Sequence, residues 1–396
     1  MAASVRRRGT NRTSNGRRGG KGNGAPGKGR GPVRYAVVGL GHIVQVAVLP
    51  AFAHAKNSKL VALVSDDPEK LRALGRRYRI TRLVDYDGYD ELLASGEVDA
   101  VYIGLPNHLH AEYAIRAAKA GVHILCEKPL AVTERECEAM IRAADRAGVQ
   151  LMVAYRLHFE PSNLRAVEAV RGGKLGEPRI FSSVFTMQVA PDNIRLGSLA
   201  DGGGTLYDIG IYCINAARYL FRDEPYEVFA ASANNGERRF RKIDEMTSAI
   251  LRFPGDRLAT FVTSFGAAPT AEYEVVGTKG LLRAESAYEY AEGARHTLVV
   301  EDKKRVTEFA QTDQFAPELV YFSDCIRSGK TPEPSGREGL ADVRVIRALY
   351  RSAARGKPLR LPPFEKRTRP GRRQEIRRPA VRKPKLVKVK SASGDR

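Results

Sequence analysis

The sequence predicts an α/β chain in two parts, a parallel sheet covered by helices on both faces and then an antiparallel sheet. Three observations predict it. Short apolar runs alternate with amphipathic segments from Tyr35 to Tyr155, a glycine pair (Gly39 and Gly41) closes the first run, and consecutive β-rich runs without helices between them follow Tyr226. Continuous apolar strands are what two covered faces require, whereas strands in direct succession pair antiparallel.

In the first part, the expected strands are 35–38, 60–64, 82–84, 100–104, 123–126 and 151–155. The expected helices are 46–55, 68–78, 89–95, 108–120 and 134–147. Ligands of such sheets bind at the carboxyl ends of strands, near the point where strand order reverses. There the first strand delivers Gly39-Leu40-Gly41-His42-Ile43-Val44. Two glycines permit a tight turn and let backbone N–H groups approach a pyrophosphate at a helix N-terminus. Val44 replaces the third glycine of the full fingerprint. A plain βα turn is the alternative, but the setting between a strand and a helix favours a dinucleotide.

The end of the second strand bears on the cofactor. Ser65 stands where an NAD protein usually has Asp or Glu, and Lys70 follows on the next helix. A hydroxyl and an ammonium suit a 2′-phosphate, so NADP is favoured over NAD. Asp66 reverses that preference if its carboxylate faces the ribose. Two later strand ends carry Leu105-Pro106-Asn107-His108-Leu109-His110 and Cys126-Glu127-Lys128-Pro129. Further on, Gly202-Gly203-Gly204 leads into a helix carrying Asp208 and Tyr212, whose spacing of four puts them on one face. An Asp and a Tyr near Lys128 form a proton-transfer set, because a cation favours phenolate. The competing reading makes Asp208 a helix cap and Tyr212 a core residue.

Charge separates body from tails. The net charge is +21 at pH 7, with ten basic and no acidic residues in 1–34 and thirteen basic against three acidic in 365–396. The region between is close to neutral, which excludes a nucleic-acid-binding surface over the whole fold. The tails, 1–33 and 365–396, are expected to be disordered and extended respectively. They are read as solvated ends, as an arm on a neighbouring subunit, or as a weak polyanion grip. Four widely spaced cysteines suggest free thiols in a reducing compartment. No apolar run approaches the ~20 residues of a membrane span, and no apolar stretch follows the early arginines as an export signal needs. A cytoplasmic protein is expected. His108 and His110, at i and i+2, do not share a helix face, and no metal is expected.

The turn at Gly39–Gly41, the Glu127-Lys128-Pro129 motif and the glycine-rich turn before Asp208 together resemble the Gfo/Idh/MocA oxidoreductases. The likeness covers residues 33–364. Within that family, the stretches 37–52, 62–70, 100–131, 155–161 and 200–220 are similar to the glucose–fructose oxidoreductase group. The resemblance implies a Rossmann domain (34–155) and a substrate and oligomerisation domain (156–364) with a large open sheet, assembled as a homodimer or tetramer.

The resemblance also implies that Lys128 polarises the reacting oxygen, that Tyr212 is the acid/base and that Asp208 holds the sugar or tunes that tyrosine. The cofactor residues it implies are Gly39, Gly41, His42, Ile43, Ser65, Lys70, Leu105, Pro106, Asn107, His110, Glu127, Lys128 and Arg156. Tyr155, His158, Arg195, Asp208 and Tyr212 face the sugar-like substrate. That group has tryptophan before the arginine; here Ile194 precedes Arg195 and the chain has no tryptophan. The expected activity is NADP-dependent hydride transfer to or from a sugar-like carbinol or carbonyl. The alternative is a non-catalytic NADP-binding regulator on the same fold.

Overall fold

The computed structural model describes residues 31–366 and 368–394. Nearly all of the expected N-terminal tail lies outside the described residues. Residues Val33–Val38 form strand β1, and β2 (Ser58–Val64), β3 (Arg82–Val84), β4 (Ala100–Ile103), β5 (His123–Glu127) and β6 (Leu151–Ala154) join it in one parallel sheet ordered β3-β2-β1-β4-β5-β6. Tyr35–Val38, Val101–Ile103 and Ile124–Cys126 are wholly buried, as two covered faces demand. Strand order reverses between β1 and β4, so their carboxyl ends flank the crevice.

The helices between these strands begin and end where local chemistry dictates. Asp67 caps the helix Pro68–Tyr78 by accepting from the N–H groups of Glu69 and Lys70, and proline opens it. Thr133 and Glu136 form a reciprocal capping box at the start of the helix Glu134–Ala147. The first helical segment differs from expectation. It starts beside Gly41 and runs to His54, with a wide turn at Val44–Val48.

The second sheet has nine strands: β7 (Pro178–Thr186), β8 (Glu227–Ala233), β9 (Met246–Phe253), β10 (Arg257–Ser264), β11 (Thr270–Gly277), β12 (Gly280–Glu285), β13 (Ala294–Val300), β14 (Lys303–Phe309) and β15 (Leu359–Arg360). Their order is β14-β13-β12-β11-β7-β10-β9-β8-β15. All pairs are antiparallel except β7 with β10. The helices Ile211–Phe221 and Gly336–Arg355 cover one face. On the other, Ile180, Ile250, Leu258 and Val262 remain exposed.

The closing helix Gly336–Arg355 couples the two sheets. At Gly339 a Cβ would come within 2.5 Å of Leu130 Cβ, so only glycine lets this helix lie against the segment after Lys128. Around it lies a buried charge network. Arg218 meets Glu338 at 2.8 Å, Asp342 at 2.5 Å and Glu224 at 2.7 Å.

The C-terminal tail completes that network, which corrects the expectation of a loose basic end. Lys366 Nζ lies 2.8 Å from Glu333 and 2.6 Å from Glu338, and Arg369 lies 2.6 Å from Glu224. Both cationic side chains are almost fully buried. Farther along, the Ile376 N–H donates to Phe159 O and Arg378 donates to His54 O. The segment is extended, as its prolines suggest, but it packs on its own body because buried carboxylates need counter-ions.

Removing one member of a buried ion pair strands its partner, at a cost of about 3–5 kcal/mol. Lys366→Ala is therefore expected to lower unfolding free energy by about 3 kcal/mol in denaturant titration. A loss below about 0.5 kcal/mol contradicts the network. Burial alone would raise the Glu333 carboxyl, but His158 and Lys366 outweigh it and hold it down at about 2. A depressed carboxylate stabilises the fold above its unfolded value of about 4.3 and loses that contribution as pH falls toward about 2. The Lys366→Ala variant should show a weaker acid dependence across that window.

Candidate active site

The crevice forms because β1 and β4 end in glycines that touch. Gly39 has φ +89°, and a Cβ there would sit 2.6 Å from Gly104 O. A side chain at Gly104 would strike Val44 Cγ2 at 2.4 Å, so Val44 fills the place of the missing third glycine by packing on the neighbouring strand end. Beside Gly41 nothing lies within 4 Å of a Cβ position, which leaves room for a ligand against the turn. The first-turn N–H groups of the following helix lack intrahelical partners. An open glycine turn at a helix N-terminus fits a dinucleotide pyrophosphate.

The next strand ends brace each other. His110 is fully buried, with Nδ1 2.8 Å from Pro129 O and Nε2 2.9 Å from Leu105 O. Its ring therefore ties the Leu105 and Pro129 turns together, and its polar atoms do not face the crevice. Burial holds it below the ordinary histidine value. Asn107 Nδ2 donates to Gly202 O at 2.8 Å, and a Cβ at Gly202 (φ +78°) would meet Asn107 Cβ at 2.7 Å. The glycine-rich turn thus docks on the first sheet.

That docking brings three predicted residues together. Lys128 Nζ donates to the backbone O of Asp208 at 2.7 Å, lies 3.5 Å from its Oδ1 and sits 4.8 Å from the Tyr212 ring centroid. Arg195 Nε donates to the other oxygen, Asp208 Oδ2, at 2.6 Å. Burial alone would raise the Asp208 pKa, but the charges of Arg195 and Lys128 reverse this and hold the carboxyl below its usual value. Asp208 is an ionised bridge between two cations. Its side chain does not cap its own helix.

Arg156, expected at the cofactor, packs against Tyr212. Its guanidinium carbon is 5.0 Å from the Tyr212 ring centroid and 5.6 Å from that of Tyr290, and it donates to Tyr288 O and Gln314 Oε1. Glu127 accepts from the Tyr102 hydroxyl at 2.6 Å, and burial pushes its carboxyl above the usual value despite the nearby cations.

Two residues expected at the sugar point inward. His158 is fully buried, with Nε2 2.8 Å from Asn215 Oδ1, and the Tyr155 hydroxyl donates to Asp342 Oδ2 at 2.5 Å. Their polar atoms belong to the interior network because Asn215 and Asp342 need partners there. At the ribose end, buried Ser65 accepts from the Asp67 N–H at 3.2 Å. Lys70 stands on the first turn beside it, where the Lys70 N–H donates to the Asp67 cap. Leu105 is buried; Pro106, Ile43 and His42 are partly exposed at the crevice.

Gly104 and Gln45 were missed by sequence reasoning. A glycine closing the fourth apolar run was the available signal for the first. Gln45, buried and donating to Leu40 O at 2.9 Å, carried none.

Such a glycine turn over a parallel sheet, with a lysine at a neighbouring strand end and a tyrosine brought to it from the second domain, defines a nucleotide-dependent oxidoreductase site. The description "Oxidoreductase family, NAD-binding Rossmann fold" matches residues 33–155, and "GFO/IDH/MocA C-terminal domain" matches residues 163–283. The chain belongs to the Gfo/Idh/MocA family and is an NAD(P)-dependent oxidoreductase.

Among similar proteins, an uncharacterized oxidoreductase of Rhizobium meliloti is 37% identical over 82% of this chain and 98% of its own. D-xylose 1-dehydrogenase [NADP(+)] of Haloarcula marismortui is 32% identical over 83% and 93%. The structure of aldose-aldose oxidoreductase from Caulobacter crescentus, complexed with glycerol, superposes with TM-score 0.80 at 37% identity, covering 83% of this chain and 100% of that one.

A side chain at Gly39 must displace the Gly104 carbonyl. Gly39→Ala is expected to weaken nicotinamide cofactor binding at least about tenfold in fluorescence titration while the circular dichroism stays native. Unchanged binding contradicts the crevice described.

Proposed function

We propose that this protein transfers hydride between NADP and an aldose-like sugar, acting at a carbinol or carbonyl carbon. The observation that carries the reading is the meeting of Lys128 and Tyr212 beside the crevice, 4.8 Å apart from ammonium to ring centroid. The bound nicotinamide supplies the hydride chemistry. Gly39, Gly41, His42 and Ile43 would hold its pyrophosphate, Leu105, Pro106 and Asn107 would flank it, and Ser65 with Lys70 would face the ribose.

Each protein group then has a defined task. Of the three donors on Lys128, one goes to Asp208 O and one faces Asp208 Oδ1. The remaining donor is available to the reacting sugar oxygen, where it stabilises negative charge as that oxygen loses its proton. Tyr212 accepts the carbinol proton during oxidation and returns it during reduction. Arg156, 5.0 Å from its centroid, steadies the Tyr212 ring. Asp208 aligns Lys128, and Arg195, partly exposed at the outer rim, closes the sugar pocket.

The named relatives support a sugar: one is a D-xylose dehydrogenase that uses NADP, another an aldose-aldose oxidoreductase. Glucose–fructose chemistry is the narrower form of the same reading. Four buried, unpaired cysteines support a reducing, cytoplasmic setting. The exposed apolar residues of the nine-stranded sheet support pairing of two copies through that face.

Assay of D-xylose, D-glucose and D-fructose with NADP and NAD tests the reading. At least one aldose is expected to reduce NADP. Lys128→Ala and Tyr212→Phe should each lower kcat at least about a hundredfold with little change in cofactor affinity. Full activity in both variants would discard the assignment.

A further inference from the structure

The C-terminal segment 382–394 runs past the first helix and the turn after β2, beside the glycine turn of the nucleotide crevice. It carries five cations (Arg382, Lys383, Lys385, Lys388 and Lys390) and no acid. Its path is pinned at two points. Val387 exchanges two hydrogen bonds with buried Gln45, at 2.8 and 2.9 Å, and the same Gln45 amide donates to Leu40 O in the glycine turn. Ala392 O accepts from the Ala190 N–H at 2.8 Å, on the loop that leads to Arg195. Between these anchors the segment spans from the first domain to the second. Nearby, burial, Arg195 and Lys383 together hold His42 below its ordinary value.

Lys388 occupies a defined place along this path. It has φ 49°, the left-handed region that residues with side chains seldom adopt. Its Nζ lies 2.7 Å from Glu69 and 3.8 Å from Asp67, on the turn that follows Ser65 at the end of β2. The adenosine ribose of a dinucleotide lies at that strand end. The ammonium is half-exposed, and exposed ion pairs are held weakly. It is therefore free to exchange a carboxylate for a doubly charged phosphate.

We propose that residues 382–394 are a cationic strap belonging to the cofactor site, and that Lys388 recognises the 2′-phosphate of NADP. The proposal rests on the dinucleotide reading above and deepens it. The strap slows cofactor release, because it must lift before the dinucleotide leaves. Lys388 favours NADP over NAD, because only NADP offers the phosphate. No atom of the strap comes within 4 Å of the Cβ position at Gly41.

Fluorescence titration of the full chain with NADPH and NADH, together with stopped-flow release of NADPH, tests it. Lys388→Ala should weaken NADPH about tenfold and NADH less than about twofold, the size expected for one charged contact. Lys388→Arg should restore NADPH affinity. A chain ending at residue 380 keeps the buried Lys366 and Arg369 pairs and should release NADPH at least about tenfold faster. Equal NADPH affinity in wild type and Lys388→Ala overturns the recognition, while the dinucleotide reading stands. Tighter or unchanged NADPH binding in the shortened chain overturns the strap. Failure of the wild-type chain to bind either cofactor overturns both readings.

Discussion

The contact on which this architecture turns is the hydrogen bond from Lys128 Nζ to the backbone of Asp208, 2.7 Å long. It joins the end of β5 to a helix 80 residues later, and so locks the nucleotide-binding half to the half that carries Tyr212. Lysine and carboxylate together create the local field. Two cations around one partly buried carboxylate leave Asp208 ionised, its orientation set from both sides by Arg195 and Lys128. A lysine engaged in this way has lost most of its rotamer freedom before substrate arrives, which is what preorganisation requires.

Beneath that pair lies the second constraint. The helix bearing Tyr212 continues through Asn215 and Arg218, and both are bound to Glu338 and Asp342 of the closing helix. Buried carboxylates impose a cost unless paired, and here the pairing is completed by Lys366 and Arg369 from beyond the last strand. The basic C-terminus is therefore part of the fold that positions the site. Part of its excess charge, which looks like a solubility feature in the sequence, has specific partners.

Local patterning made most of the framework legible. Helices 68–78 and 134–147 were legible from their amphipathic pattern, and the alternation of apolar runs placed β2 through β6; the Asp67 cap and the Thr133–Glu136 box that start those helices are seen in the structure. Patterning did not show how distant strands pair. The parallel β7–β10 contact is a matter of topology, and β12 carries too short a β-rich run to stand out.

The candidate site was legible where its residues stand in motifs, at Gly39, Lys128, Asp208 and Tyr212, the last three of which the structure brings together. It was not legible where a residue's role depends on which way its ring turns. His110, Tyr155 and His158 stand within or beside motifs, yet their polar atoms face inward, because neighbouring carbonyls, Asn215 and Asp342 need partners. Arg156 differs again: the resemblance implied a cofactor contact, and the structure sets its guanidinium against the rings of Tyr212 and Tyr290. A crystal structure of the protein with NADP and an unreacted aldose is expected to place one sugar oxygen within about 3.2 Å of both Lys128 Nζ and the Tyr212 hydroxyl. A sugar bound with its reacting oxygen out of reach of either group would contradict that placement.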